Sequence, residues 1–159
     1  GVATSEFGWR KALYDSRGRL VSPAGLHEGI DLSNGGGTST KLYAVANGVI
    51  AKIWYDNPGG GNQVVIHHNI NGVKYSSSYA HMSKVLVKEG QIVTRDTVVG
   101  MMGATGSAIG YHLHIAISTG LRYKDYYSYN DYASRCLNPR TLINFPSGDN
   151  PWYDRVTKY

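Results

Sequence analysis

The stretch His112-Leu113-His114-Ile115-Ala116-Ile117-Ser118 decides the fold class, because apolar and polar side chains alternate along most of it. Successive side chains of a β-strand point to opposite faces, so residues two apart share a face. Leu113, Ile115 and Ile117 would line one face, and His112 and His114 the other. The stretch therefore predicts a strand that faces the core on one side and a site on the other.

The remainder of the chain carries the same signals. With twenty glycines, thirteen tyrosines and many Val, Ile and Thr residues, its composition is typical of β-structure. Asn47-Gly48 and Asn71-Gly72 each separate two alternating segments, and Asn-Gly is the strongest local hairpin signal because both positions tolerate positive φ. We predict an all-β fold of antiparallel sheets with little helix. The predicted strands comprise residues 42–46, 49–55, 63–68, 73–82, 98–102 and 112–118.

The length of the chain, 159 residues, predicts a single domain that buries roughly two thirds of the surface of its unfolded form. We expect its core over about residues 4–145 and a polar tail over residues 146–159. The sequence contains no run of about 18 apolar residues, which excludes a membrane-spanning helix. Residues 1–4 lack the basic and apolar regions of a signal peptide. Cys136 is the single cysteine, and we expect it to be either buried or idle.

The formal net charge of +5 comes from basic residues that are scattered from Arg10 to Lys158 rather than gathered in one run. Such a charge favours polyanions in general. The sequence has no basic helix, no zinc-finger spacing and no recognisable nucleic-acid module. We therefore expect no nucleic-acid partner, whereas the anionic polymers of a bacterial wall remain candidate partners.

Residues 121–135 lose the alternation and contain five tyrosines among charged and polar residues. One interpretation is a solvated loop. The other is a wall along a substrate groove, since tyrosine offers a flat apolar face with a polar tip. The five tyrosines are Tyr123, Tyr126, Tyr127, Tyr129 and Tyr132.

Four residues form two closely spaced pairs of the metal-ligand type. His27 and Asp31 are four apart, and His112 and His114 are two apart, so on strands each pair would point to one face. Zinc in a hydrolase takes three nitrogen or oxygen ligands and keeps a fourth position for water. His27, Asp31 and one histidine of the second pair would complete such a set. Spacing alone does not select between His112 and His114.

Taken in their order along the chain, these motifs resemble those of the lysostaphin-type zinc endopeptidases, which cut peptides of bacterial peptidoglycan. The resemblance combines an HxxxD motif, a Tyr-Ala-His sequence and an HxH motif. It is carried by residues 5–10, 27–31, 45–49, 79–83, 88–91, 103–106 and 112–114. It implies that His27, Asp31 and His114 bind one zinc ion and that His81 and His112 are the catalytic pair. It also implies antiparallel β-sheets around a narrow groove with the zinc at its floor.

The function that the resemblance implies is hydrolysis of peptide bonds in the stem peptides or cross-bridges of peptidoglycan. Zinc lowers the pKa of its bound water toward 7 and polarises the scissile carbonyl. His81 and His112 would divide the roles of general base and oxyanion stabiliser between them. The predicted substrate contacts are Tyr79, Tyr123, Tyr126 and Tyr127.

Glu28 invites comparison with another class of zinc proteases. His27-Glu28 begins like the helical HExxH motif, in which the glutamate is the base. The fifth residue here is Asp31, and Gly29 opposes a helix. On a strand Glu28 would face away from the metal, so we assign it no catalytic role.

Two alternative functions stay open at this point. A protein of the same fold could be a non-catalytic module that binds the wall or regulates a partner. It could also be a carboxypeptidase that trims D-amino acids from peptide ends. In each case we expect a monomer that is extracellular or faces the cell wall, as a secreted protein, a phage-borne lysin or a virion component.

Overall fold

The computed structural model describes residues 2–143, with the exception of the side chain of Val2. Strands dominate these residues, so the predicted all-β class is confirmed. The strands are β1 (Val2–Ser5), β2 (Gly8–Arg10), β3 (Leu13–Tyr14), β4 (Leu20–Ser22), β5 (Gly25–His27), β6 (Ile30–Ser33), β7 (Lys41–Tyr43), β8 (Gly48–Asn57), β9 (Gly61–Ile70), β10 (Val73–Met82), β11 (Lys84–Val85), β12 (Ile92–Val93), β13 (Val98–Met101), β14 (Leu113–Thr119) and β15 (Cys136–Leu137). The helical segments are the α-helix α1 (Tyr129–Arg135) and the 3-10 turns Gly37–Ser39 and Pro139–Thr141.

One large antiparallel sheet organises the molecule. Its strand order is β1-β6-β14-β10-β9-β8-β12, and β15 pairs with part of β14. A smaller antiparallel sheet has the order β11-β13-β7, and two ribbons pair β2 with β5 and β3 with β4. Because β14 lies between β6 and β10, segments that are far apart in sequence meet at the centre of the large sheet.

The hydrophobic core joins one face of the large sheet to the smaller sheet. Leu113 and Ile115 of β14 are fully buried in the same cluster as Leu42 of β7 and Val99 of β13. Ile117 belongs to this cluster as well, so the three alternate positions predicted to face the core do so. The opposite face of β14, which carries His114, is therefore free to form a site.

Of the two predicted Asn-Gly hairpins, one is confirmed and one is wrong. Asn71 and Gly72 have φ values of 53° and 81° and join β9 to β10, as a tight turn with positive φ requires. The segment before Asn47 instead pairs with β13, and β8 pairs with β9 and β12. Gly48 is small for another reason, because a Cβ at this position would lie 2.3 Å from the carbonyl oxygen of His67.

The tyrosine-rich segment is not simply a solvated loop, because it ends in helix α1. The Ser128 hydroxyl accepts a hydrogen bond from the backbone N–H of Asp131 and caps the helix N-terminus. Tyr132 of the helix and Tyr126 before it pack on Ala116, on the face of β14 that does not point to the main core. The helix therefore covers part of the face that carries the site.

Two further expectations concern the ends and the membrane. The expected tail, residues 146–159, lies outside the described residues. Within residues 2–143, none of the helices has the length and apolar character needed to cross a membrane.

Candidate metal centre

Three side chains bring one donor atom each to a common point. His114 Nδ1 lies 2.8 Å from Asp31 Oδ1, and His27 Nε2 lies 3.2 Å from the same oxygen. The two imidazole nitrogens are 3.1 Å apart. All three residues are buried or half-buried, and among residues 2–143 they form the group of metal-ligand side chains that could share one ion.

The strand register explains why these three residues meet. His114 of β14 stands directly opposite Asp31 of β6, so their side chains lie on the same face of the sheet. His27 ends β5, which belongs to a different ribbon. The expected single strand from His27 to Asp31 is therefore wrong, because the chain leaves one ribbon at Glu28 and Gly29 before it enters the large sheet.

Gly29 allows this change of direction to pack tightly against the site. A Cβ at this position would lie 2.4 Å from the carbonyl oxygen of Ile115 and 2.9 Å from the imidazole ring of His114. Both distances are shorter than van der Waals contact, so no other residue fits without displacing β14 or the His114 ring. The glycine inside the HxxxD motif is thus part of the site's construction.

Hydrogen bonds from outside the cluster orient two of the three donors. His27 Nδ1–H donates to the carbonyl oxygen of Glu6 at 2.8 Å, which turns Nε2 toward the cluster. Arg10 Nη2 donates to Asp31 Oδ2 at 3.3 Å, on the side of the carboxylate that faces away from the imidazoles. Oδ1 is therefore the oxygen that points to the cluster.

The electrostatics keep the carboxylate ionised. Burial alone would raise the pKa of Asp31, but the hydrogen bonds and charges of His114 and His27 outweigh it and hold the pKa far below its usual range. An anionic oxygen and two imidazole nitrogens form the donor set that zinc takes in hydrolytic enzymes. A tetrahedral ion with bonds of about 2.0 to 2.1 Å separates its ligand atoms by roughly 3.3 Å. The residues present therefore fit one such ion.

His81 reaches the groove because β10 is irregular at this point. Regular alternation would send it to the same side as Tyr79, which is buried in the core. Between Tyr79 and Met82 the register with β9 shifts, and His81 adopts a positive φ of 61°. Its backbone N–H donates to the carbonyl oxygen of Gly60 at 2.7 Å. A bulge of this kind re-aims one side chain, here the imidazole that lines the groove.

His81 and His112 present matching nitrogens to the groove. His81 Nδ1–H donates to the carbonyl oxygen of Thr105, and His112 Nδ1–H donates to that of Gly110, both at 2.8 Å. Because a carbonyl oxygen can only accept, each Nδ1 carries the proton and each Nε2 is left as an acceptor. The two ring centroids are 4.8 Å apart, and His112 Nε2 lies 3.8 Å from Asp31 Oδ1.

The environment of His81 favours its neutral form. Burial lowers the pKa of His81 below its usual value, the hydrogen bond to Thr105 opposes this effect, and the nearby His112 and His114 lower the pKa further. The imidazole is therefore unprotonated at pH 7 and can accept a proton there.

A groove of about 720 Å³ surrounds the cluster and includes His81 and His112 among its lining residues. Of the four tyrosines predicted to contact substrate, three do not line this groove, namely Tyr79, Tyr126 and Tyr127. The Tyr79 hydroxyl, buried in the core, donates to the carbonyl of Tyr43 and accepts from the backbone N–H of Val45. Tyr126 is buried under helix α1, where its hydroxyl donates to Ser118.

The other tyrosines divide between the groove and the surface. Tyr123 lines the groove, and its hydroxyl accepts a hydrogen bond from Trp54 Nε1 at 3.3 Å. Tyr129 and Tyr132 of helix α1 also line the groove. Tyr127 is 70% exposed and does not line the groove, so the structure does not bring it to the site. The interpretation as a groove wall therefore holds for three of the five tyrosines.

Glu28 also lies in the groove, contrary to the expectation that it faces away. It lines the cavity together with Tyr129 and Tyr132; burial raises the pKa of both tyrosines, and the charge of Glu28 raises it further. The reason is the break between β5 and β6, which frees Glu28 from strand alternation. Cys136 is half-buried, and burial raises the pKa of its thiol to about 12.

Two arginines of the groove carry no signal in the sequence pattern. Arg10 reaches Asp31 only because β2 pairs with β5, and Arg122 stands above the strand face only because the chain turns back after β14. Both contacts depend on pairings between distant segments. An arginine on a predicted surface segment is ordinarily a solvated residue, which is why the sequence pattern does not single them out.

Comparison with known proteins agrees with this geometry. A family model described as Peptidase family M23 matches residues 25–126, which include the four paired residues of the two motifs and His81. The chain belongs to peptidase family M23. The resemblance found in the sequence is therefore confirmed, and helix α1 lies beyond the end of the matched segment.

Three proteins that are similar to this chain have names that state a peptidase activity. The chain is 41% identical over 88 residues to the peptidoglycan DD-endopeptidase ShyA of Vibrio cholerae. This matched segment covers 55% of this chain and 19% of ShyA. The catalytic domain of the antimicrobial peptidase lysostaphin from Staphylococcus simulans has a TM-score of 0.66 and 27% identity, and covers 89% of this chain and 90% of that domain. A zinc-containing peptidase from Vibrio cholerae has a TM-score of 0.58 and 30% identity, and covers 86% of this chain and 35% of that one. The chain thus spans only a minor part of the longer relatives.

Proposed function

We propose that this M23 protein is a zinc-dependent endopeptidase that hydrolyses peptide bonds in the stem peptides or cross-bridges of bacterial peptidoglycan. The observation that carries the proposal is the convergence of His27 Nε2, Asp31 Oδ1 and His114 Nδ1 in a groove that also contains two imidazoles with free Nε2 atoms. The names of the relatives, peptidoglycan endopeptidases among them, support the substrate class.

His27, Asp31 and His114 would hold the zinc, with Arg10 fixing the second oxygen of the carboxylate. When bound, the zinc supplies a water of lowered pKa and polarises the scissile carbonyl. His27 is buried and Asp31 and His114 are half-buried, so the cluster lies at the inner side of a groove whose open side would admit an extended peptide.

His81 and His112 would carry out the proton chemistry. Each has its proton on Nδ1, so the two Nε2 atoms accept the proton of the attacking water and return it to the departing amine. The protonated form of either imidazole can also donate a hydrogen bond to the developing oxyanion. The lowered pKa of His81 suits the role of acceptor at neutral pH.

The proposed substrate is a solid wall polymer, so the protein would act outside the cytoplasm, either secreted or carried by a phage. The net charge of +5 would favour adsorption to anionic wall polymers. We propose that it works as a monomer without nucleic-acid partners, since the groove contains all five residues of the proposed site within one chain.

The proposal is tested by digestion of purified peptidoglycan. Mass spectrometry of the released peptides should show new amino and carboxyl termini inside the peptide moiety, and a chelator should abolish release until zinc is returned. His27→Ala should lose both zinc and release, whereas Tyr55→Ala, at an exposed residue of β8 that does not line the groove, should retain both. Release only of terminal amino acids would identify a carboxypeptidase. Adsorption without any release would identify a wall-binding module.

A further inference from the structure

A second charged site lies in the groove beside the proposed metal centre. Arg122 lines the groove, and its guanidinium carbon lies 3.6 Å from the centre of the Tyr132 ring and 4.9 Å from that of Tyr123. Such stacking fixes the plane of the guanidinium and removes much of its rotational freedom. The arginine is therefore held in place before any ligand arrives.

The backbone around Arg122 is equally fixed. Its N–H donates to the hydroxyl of Ser76 at 2.9 Å, and its carbonyl oxygen accepts a hydrogen bond from His67 Nε2 at 2.6 Å. Nη1 donates to the hydroxyl of Ser78 at 3.0 Å. These contacts attach the arginine to the neighbouring strands β9 and β10, so its position relative to the metal centre is set by the sheet.

The guanidinium has unused hydrogen-bonding capacity. Its Nε is buried and has no hydrogen-bond partner within residues 2–143, and the hydrogen bond to Ser78 is the one that its terminal nitrogens make there. No carboxylate of the described residues forms an ion pair with Arg122, although Glu28 and Asp31 line the same groove. A half-buried cation without a counter-charge is costly, and an anionic ligand offsets that cost.

The sheet also gives the distance of Arg122 from the reaction centre. Ala80 stands opposite His114, and Ser78 lies two residues further along β10 on the same face. Two strand residues span roughly 6.7 Å, which is about two residues of an extended peptide. His112 directly precedes β14, on the other side of His114, so Arg122 and the proposed catalytic pair flank the metal centre.

We infer that Arg122, framed by Tyr123 and Tyr132, is a subsite for a free carboxylate that the peptide substrate carries within about two residues of the scissile bond. The inference rests on the proposed endopeptidase function and adds a substrate class to it. A planar guanidinium matches a carboxylate with two parallel hydrogen bonds, and the flanking rings exclude water from that pair. The subsite would select acidic stem peptides over their amidated forms.

The test uses one cross-linked muropeptide in two forms, either with its free carboxylates or after their conversion to carboxamides. The wild-type protein should cleave the acid form with a kcat/KM higher by roughly 10- to 100-fold, as expected for loss of a charge-assisted hydrogen bond. Arg122→Gln should lower kcat/KM for the acid form to the level of the amide form, mainly through KM, because ground and transition states both use the contact.

Two controls separate the subsite from damage to the fold. Arg17→Gln removes the same charge from an exposed turn and should keep the wild-type preference. Arg122→Gln should still bind one zinc ion, which shows that the neighbouring metal centre is intact, and an Arg122→Gln protein that keeps the wild-type preference for the acid form would overturn the subsite. Equal cleavage of both forms by the wild-type protein would overturn the subsite and leave the endopeptidase function standing.

If the wild-type protein cleaves neither form, the proposed function has failed, and binding then decides the subsite. Calorimetry of the acid muropeptide should give weaker binding to Arg122→Gln than to the wild-type protein. Equal binding to both proteins would overturn the subsite by itself.

Discussion

Gly29→Ala is the smallest change that should damage the proposed metal centre without removing a ligand. The added methyl carbon would lie 2.4 Å from the carbonyl oxygen of Ile115 and 2.9 Å from the His114 ring. Ile115 stands opposite Ile30 in the pairing of β14 with β6. The methyl group therefore pushes on the two strands that carry His114 and Asp31.

The expected magnitude follows from these distances. A carbon and an oxygen atom in contact are about 3.2 Å or more apart, so the strands must separate by nearly 1 Å or strain their side chains. Overpacking of this kind costs about 1 to 3 kcal/mol of unfolding free energy. A displaced His114 ring should also weaken zinc binding by roughly 10- to 100-fold, as the loss of an orienting contact does at metal sites.

Denaturant unfolding of the zinc-free protein and chelator competition for zinc measure the two effects separately. Gly25→Ala is the matched control, because it adds the same methyl group to the preceding strand, where no heavy atom lies within 4 Å. It should change stability by less than about 0.5 kcal/mol and leave zinc affinity unchanged. If Gly29→Ala matches Gly25→Ala in both measurements, the packing argument for this glycine is wrong.

Other predictions concern charged and titrating groups. Arg10→Gln should weaken zinc binding by roughly 10- to 100-fold in chelator competition, because Asp31 loses its orienting partner; an unchanged affinity would contradict this role. Glu28→Gln should keep muropeptide turnover within about tenfold of the wild-type value, whereas loss of a true general base costs about 10²- to 10⁴-fold. Burial lowers the pKa of His68 below 6.5, so the unfolded chain binds a proton there that the folded chain does not, and stability should fall as the pH drops below 6.5. His68→Asn should reduce this dependence in denaturation curves at pH 5.5 and 7.5, and an identical slope would contradict the assignment.

The local pattern predicts those elements whose partners are also local. Asn71-Gly72 forms its hairpin because the flanking strands pair with each other, and the φ values of the turn satisfy the backbone. Asn47-Gly48 carries the same dipeptide, but the segments on either side are taken by β13, β9 and β12. Pairing with distant strands buries more surface than one turn can offset, and a turn signal contains no information about those strands.

The candidate site likewise contains residues that the local pattern predicts and residues that depend on distant contacts. The alternation in residues 112–118 predicts the face on which His114 lies, because it depends only on strand geometry. Alternation would have buried His81 with Tyr79, and the bulge that exposes it depends on distant carbonyl groups at Gly60 and Thr105. Strand geometry therefore did not predict His81 as a site residue, and only the resemblance to the family did. Helix α1 was missed because its seven residues are too short for a periodic signal.

The most direct test of the account compares zinc content and muropeptide release in the same preparations of the wild-type protein, His114→Ala and His112→Ala. The two histidines are the neighbours of Leu113 on either side, so the variants differ only in whether a proposed ligand or a proposed acid-base group is lost. The wild-type protein should hold one zinc ion, His114→Ala should lose zinc and release together, and His112→Ala should keep zinc while its turnover falls by about 10²- to 10⁴-fold. Zinc retained in His114→Ala but lost in His112→Ala, or full release by a wild-type protein free of zinc, would contradict the account.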